Sequence, residues 1–187
     1  MVSDAVKVEG IAILGSHPET KLLAPFDKNW LIYACSPDNS PFGLNSKMPL
    51  PRVDAWFELH KPIAHPTRPY GYLRWLEDMP VLYMRDKAAM PFFKGAVEYP
   101  EDQLKERFGP FAFTSSVAYI IAKAIVDAEQ IGAKAIGLYG ILQASDTEYH
   151  KHRQGTQQMM FEARKAGLKV MVPDQAKALF ELPPEDW

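Results

Sequence analysis

Between residues 117 and 182 the chain changes its hydrophobic period again and again, and that alternation restricts the fold more than any other feature. Val117, Ile120, Ile121, Ala124, Ile125 and Ala128 recur at helical spacing, and the run stops at Gly132. "AKAIGLYGI" then reads as a strand apolar on both faces, and "TEYHKHRQGTQQMMFEARKAG" as a long helix ending at Gly167. "LKVMVP" gives a further strand, and "DQAKALFEL" a last helix with Asp174 as its cap. Strands separated by helices require crossover connections into a parallel sheet, with helices covering the sheet on both sides.

The first half carries the same signals with more interruption. "EGIAILG" reads as a strand ending at Gly15, followed by a brief helix starting at Pro18. "NWLIYACS" is a buried strand that stops at a proline-rich loop over residues 37–52. In "VDAWFELH" alternation puts Asp54, Trp56, Glu58 and His60 on one side of a strand. "YGYLRWLED" predicts a short helix and "PVLYMRD" a strand, whereas "AAMPFFKGAVEYP" fits a loop and a short strand equally. "EDQLKERFG" predicts a helical turn or two closed by Gly109. The expectation is one α/β domain over residues 1–187, three-layered and Rossmann-like, with a mostly parallel sheet of about five or six strands.

Charge and cysteine usage narrow the context. A formal net charge of −2 does not indicate a nucleic-acid surface, although a local basic groove is compatible with it. The single cysteine, Cys35, falls in a strand and reads as a core thiol in a reducing compartment. The N-terminal "MVSDAVKVEG" lacks the pattern of a signal peptide, and no apolar run approaches the ~18 residues of a membrane span. A cytoplasmic protein without a membrane partner is expected.

In open parallel sheets ligands sit beyond the carboxyl ends of the strands, so residues just after each strand are the candidates. Gly15 and Ser16 can offer backbone N–H groups to a phosphate, and His17 follows them. No G-x-G-x-x-G and no P-loop pattern is present, so a plain tight turn is an equally good reading. Ser36, Asp38 and Asn39 follow the second strand, Glu58 and His60 close the third, and Arg85 follows the fourth. Thr114, Ser115 and Ser116 place three hydroxyls at the start of the strongest helix, where capping needs only one and an anion could use the others. Gly140, Glu148, Tyr149 and Arg153 lie after the strand that ends near residue 140. There Glu148 also completes a capping box with Ser145 or Asp146.

His17 and His60 are the candidate general acid or base, with Arg85 or Arg153 neutralising charge. No ligand cluster of metal spacing is present: His150 and His152 lie two apart on a helix and point in different directions. No metal is expected, and the sequence identifies no cofactor. The aromatic and basic mixture of Arg68, Tyr70, Tyr72, Arg74 and Trp75 fits core packing or stacking of a base.

Together "AILGSHPET", "WLIYACSPDN", "VDAWFELH", "FTSSVAYIIAKAI" and "IGLYGI" resemble a family of small, uncharacterised tailed-phage proteins. More distantly the order of elements is similar to Rossmann-like transferases of the bacterial sialyltransferase and archaeal pterin-pyrophosphokinase-like groups. That likeness implies a nucleotide donor held by Gly15, Ser16, Asn39, Thr114, Ser115 and Ser116. The chain departs from those groups at Leu142, where they often carry an acid, and in its Gly-Ser-His first loop. The resulting expectation is a phage-type transferase that uses a nucleotide or nucleotide-activated donor. A non-catalytic nucleotide-binding or host-interaction protein and a DNA-hypermodification enzyme are the alternatives.

Overall fold

A computed structural model describes residues 7–62, 71–142 and 148–176, and within the last stretch the side chains from 152 onward. Among the described residues seven strands form one sheet: β1 (Gly10–Leu14), β2 (Trp30–Cys35), β3 (Ala55–Glu58), β4 (Leu82–Met84), β5 (Ala96–Glu98), β6 (Ala135–Tyr139) and β7 (Lys169–Met171). Their order is β5-β4-β3-β2-β1-β6-β7, and every pairing is parallel. The helices are α1 (Pro18–Lys21), α2 (Tyr72–Glu77), α3 (Glu101–Phe108), α4 (Ser116–Ile131) and α5 (Glu148–Lys165). The architecture is the expected Rossmann-like α/β sandwich with a slightly larger sheet.

The additional strand comes from the segment that read two ways. β5 has only three residues, with Val97 exposed at the sheet edge, so it shows neither a buried run nor an alternation. Hydrogen bonding to β4, not its own composition, makes it a strand. β3 is shorter than its sequence signal: Asp54 precedes it and accepts from the Ile32 N–H at 2.7 Å. Asp54 therefore stands at the amino edge of the sheet, opposite the end at which His60 emerges.

Alternation along the strands divides the core into two layers. Ile11 and Ile13 of β1, with Tyr33, Cys35 and Phe57, face the apolar sides of α3, α4 and α5. Ala12 and Leu14, with Ile32, Ala34 and Trp56, face α2 and the connections around it. α4 spans 16 residues and buries Ile120, Ile121, Ala124, Ile125 and Ala128. Ser115 caps it by accepting from the Ala118 N–H, and Gly132 ends it at φ 74°, a backbone conformation open to glycine at little cost. No described helix is long and apolar enough to cross a membrane. The last expected helix is described only at residues 174–176.

The strand order reverses at β1. From there β2 to β5 build outward on one side and β6 and β7 on the other, so the connections leaving β1 and β6 part from each other. The crevice between their carboxyl ends is the topological switch point, where open α/β sheets place ligands.

Candidate functional site

The floor of the crevice is two glycine turns back to back. The Gly15 N–H donates to the Tyr139 carbonyl at 2.8 Å, and the His17 N–H to the Gly140 carbonyl at 2.8 Å. A Cβ on Gly15 would collide with the Gly140 carbonyl oxygen, and one on Gly140 would lie 2.6 Å from the Gly15 oxygen. Gly140 also sits at φ 63°, so its place in the turn needs both a missing side chain and a left-handed backbone. Thr20 of α1 closes the pair, its Oγ1 accepting from the Gly140 N–H at 2.9 Å.

A buried amide clasps the first turn to the loop after β2. Asn39 donates through Nδ2 to the carbonyls of Gly15 at 2.8 Å and Cys35 at 2.9 Å. Lys21, buried on α1, donates through Nζ to the Met48 carbonyl at 2.8 Å and lies 3.4 Å from Asn39 Oδ1. Burial lowers the pKa of that ammonium, with Asp38 opposing the shift. Asn45 donates to the Ser16 carbonyl. Asn39 and Asp38 thus shape the turn from behind, Asp38 through its backbone bonds to Ser36 Oγ and Asn45.

Above this floor is a cleft of about 360 Å³. Eight of the residues singled out from the sequence line it: Gly15, Ser16, His17, Ser36, His60, Ser115, Ser116 and Gly140. They come from five separate stretches of chain that meet only because the strands are parallel and end at one edge. Cys35 and His152 also line it, and no described lysine, arginine, aspartate or glutamate does. His17 Nδ1 is buried there without a hydrogen-bond partner. Ser115 Oγ is occupied in capping and lies 3.3 Å from Thr156 Oγ1. Cys35 is packed under the cleft, and burial first, then Glu58, pushes its thiol up to about 12.

Ser36 was legible as a strand-end residue, but its backbone was not. It has φ 76° and ψ 123°, the only positive φ of a described non-glycine residue, in a region that glycine alone adopts readily. The strain turns the chain sharply at the cleft edge.

His60 has a second feature. Its Nδ1 is 3.8 Å from Glu58 Oε1, and its backbone N–H donates to the same oxygen at 3.3 Å. Glu58 is buried and fixed from behind: the Tyr72 hydroxyl donates to Oε2 at 2.6 Å and in turn accepts from Trp56 Nε1 at 3.1 Å. A buried carboxylate, held by the Tyr72 hydroxyl, therefore lies beside the His60 imidazole. Glu58 lies behind His60 and is not part of the cleft lining. Tyr72, whose aromatic segment fits both core and base stacking, belongs to the core, as does Trp75 in its edge-on contact with Trp56.

Other candidates fall elsewhere. Thr114 faces α5, where its Oγ1 is 3.4 Å from the His152 carbonyl and packs against Gly155. Arg85 stands one cavity away, paired bidentately with Glu101 at 2.5 and 2.8 Å. Arg153 follows His152 on α5 but is not among the side chains lining the cleft. The side chains of Glu148, Tyr149 and His150, together with Ser145, Asp146, Arg68 and Tyr70, lie outside the described residues. Among the described residues no group of three or more His, Cys, Asp or Glu side chains is arranged to hold a metal ion.

No protein-family model matches the chain, and neither curated proteins nor solved structures give a match. The functional reading therefore rests on the geometry of the switch-point cleft.

Proposed function

We propose that the switch-point cleft binds a nucleotide or nucleotide-activated donor through a phosphate and that the protein transfers a group from it. The observation that carries this is the meeting of the Gly15–His17 turn, Ser36, His60 and the first turn of α4 around one cavity at the point of strand reversal. A helix start has four backbone N–H groups without helical partners and a positive dipole end, which suits a phosphate. Ser116 and Ser16 add hydroxyls beside it. The absence of described carboxylates from the lining spares an incoming phosphate like-charge repulsion. At about 360 Å³ the cleft is near the lower end of the roughly 300–1,000 Å³ range of small-molecule pockets. That size suits a mononucleotide unit and not an extended dinucleotide.

In the transfer, an acceptor hydroxyl or amine gives its proton to the His60 imidazole, which lies beside the Glu58 carboxylate. The acceptor atom forms its bond to the transferred group as that group's bond to the donor phosphate oxygen breaks. The electron pair leaves on the phosphate, toward the α4 N-terminus. Calorimetric titration with AMP, ADP and inorganic phosphate tests the binding, and Ser116→Ala and His60→Ala separate its parts. Ser116→Ala should weaken AMP several-fold, on the order of the ~1 kcal/mol of one hydrogen bond. His60→Ala should leave AMP binding nearly intact and abolish turnover once a donor is found. No saturable binding of any of the three ligands would overturn the reading. Turnover unaffected by His60→Ala would remove His60 as the base.

A further inference from the structure

We infer that a second ligand site adjoins the first, in the cavity beyond the ends of β3 and β4, and that it takes a small molecule bearing an anionic group, the acceptor of the transfer. The inference rests on the group-transfer reading above. This cavity measures about 550 Å³ and is lined by His60, Lys61, Arg85, Asp86, Lys87 and Glu101, among others. His60 also lines the switch-point cleft, so one imidazole forms part of the wall of both. A transfer reaction needs its two reacting atoms about 3–3.5 Å apart, which requires adjoining pockets. A proton acceptor serves both ligands only from the boundary between them, and His60, backed by Glu58, stands there.

The chemistry of the second cavity differs from that of the first. Arg85 and Glu101 neutralise each other in a two-pronged pair, and Lys105 and the Tyr119 hydroxyl also bond Glu101. The Arg85 guanidinium is 4.7 Å from the centre of the Tyr119 ring, so this group is a fixed wall and not a free cation. Lys87 pairs with Glu98, but both side chains are largely exposed, at 72% and 54%, and such pairs are exchanged readily. Lys61, directly after His60, is exposed. Among the described lining residues, the charged side chains outside the Arg85–Glu101 pair are Lys61, Lys87 and Asp86, with Glu98 reaching Lys87 from beyond the lining. An anionic group would be drawn to that side, with the rest of the molecule toward His60.

The test is a titration of the full chain, with histidine side chains followed by proton–nitrogen NMR, using AMP for the first cleft and succinate for the second. Each ligand should bind saturably and move the His60 signals, and saturating AMP should leave succinate binding in place. The exposed double variant Lys61→Glu, Lys87→Glu should weaken succinate about tenfold or more and AMP by less than about twofold. Its thermal midpoint should match that of the native chain. Succinate that fails to bind, competes with AMP, or ignores the charge reversals overturns the second site. Succinate binding with no AMP binding would instead overturn the nucleotide reading and leave the anionic site standing.

Discussion

At the scale of the residue, two positions show how much the cleft depends on backbone geometry. Ser36 holds a left-handed φ of 76° that costs a non-glycine residue about 1–3 kcal/mol. Ser36→Gly should raise stability by up to about 1 kcal/mol in urea denaturation, part of the relief being offset by the greater freedom of glycine in the unfolded chain. Gly140→Ala should do the opposite. The new methyl would meet the Gly15 oxygen and Lys21 Cβ within 3 Å at φ 63°, and a loss of about 2 kcal/mol or more is expected in the same measurement. Equal stability for Gly140→Ala and the native chain would mean that the two turns are not in contact. Both glycines and the serine are visible in the sequence, but nothing in "AILGSHP" or "ACSPDN" says that one turn lies against another 125 residues away.

At the scale of the element, the start of α4 divides adjacent hydroxyls among different contacts. Three hydroxyls precede or open this helix, and the fold uses each differently: Thr114 against α5, Ser115 as cap, Ser116 on the cleft wall. Ser115→Ala should cost about 1 kcal/mol of stability, the usual value of a lost cap, while Ser116→Ala should stay within about 0.5 kcal/mol. Thermal and urea unfolding of the two variants side by side checks this.

The start of α3 gives a pH prediction. Burial pushes Glu101 upward, but hydrogen bonds from Arg85 and Lys105 outweigh it and hold the carboxyl below its ordinary 4.5. A carboxylate with a depressed folded value adds stability above its unfolded pKa and loses it as the pH falls through the folded one. Glu101→Gln should therefore lower stability at pH 7 and narrow the gap to the native chain below about pH 4.5. A gap that stays constant through that range would show that the ion pairs contribute nothing. The residues of "EDQLKERFG" announce the helix, yet Arg85 is 16 positions upstream, and a pair at that distance has no periodic signature.

At the scale of the whole molecule, the sheet joins the two halves of the core. β1, β2, β3 and β6 each contribute alternate residues to the layer under α4 and to the layer under α2, so neither layer can lose its order alone. Tryptophans 30, 56 and 75 lie in the α2 layer, whereas most of the described helical residues lie on the other face. Tryptophan fluorescence and far-ultraviolet circular dichroism should thus report one coincident urea transition. Separate midpoints would divide the chain into two folding units.

The sequence alone determined the class of fold, because hydrophobic period and glycine or proline punctuation are local properties. The alternation over residues 117–182 needs no distant partner to be recognised, and it already requires a parallel sheet. It also identified the strand ends and the hydroxyl-rich start of α4, and thereby eight residues that line the cleft. It left β5 undecided, since a three-residue edge strand is defined by the neighbour it bonds. Tertiary structure alone decided which strand ends share a cavity, that Asp54 stands at the far edge from His60, and that Arg85 is tied to Glu101. It alone aligned Trp56, Tyr72, Glu58 and His60 in one chain of contacts. Those outcomes depend on strand order and on separations of tens of residues, and a one-dimensional pattern carries the period of each element but not the order in which the elements lie side by side.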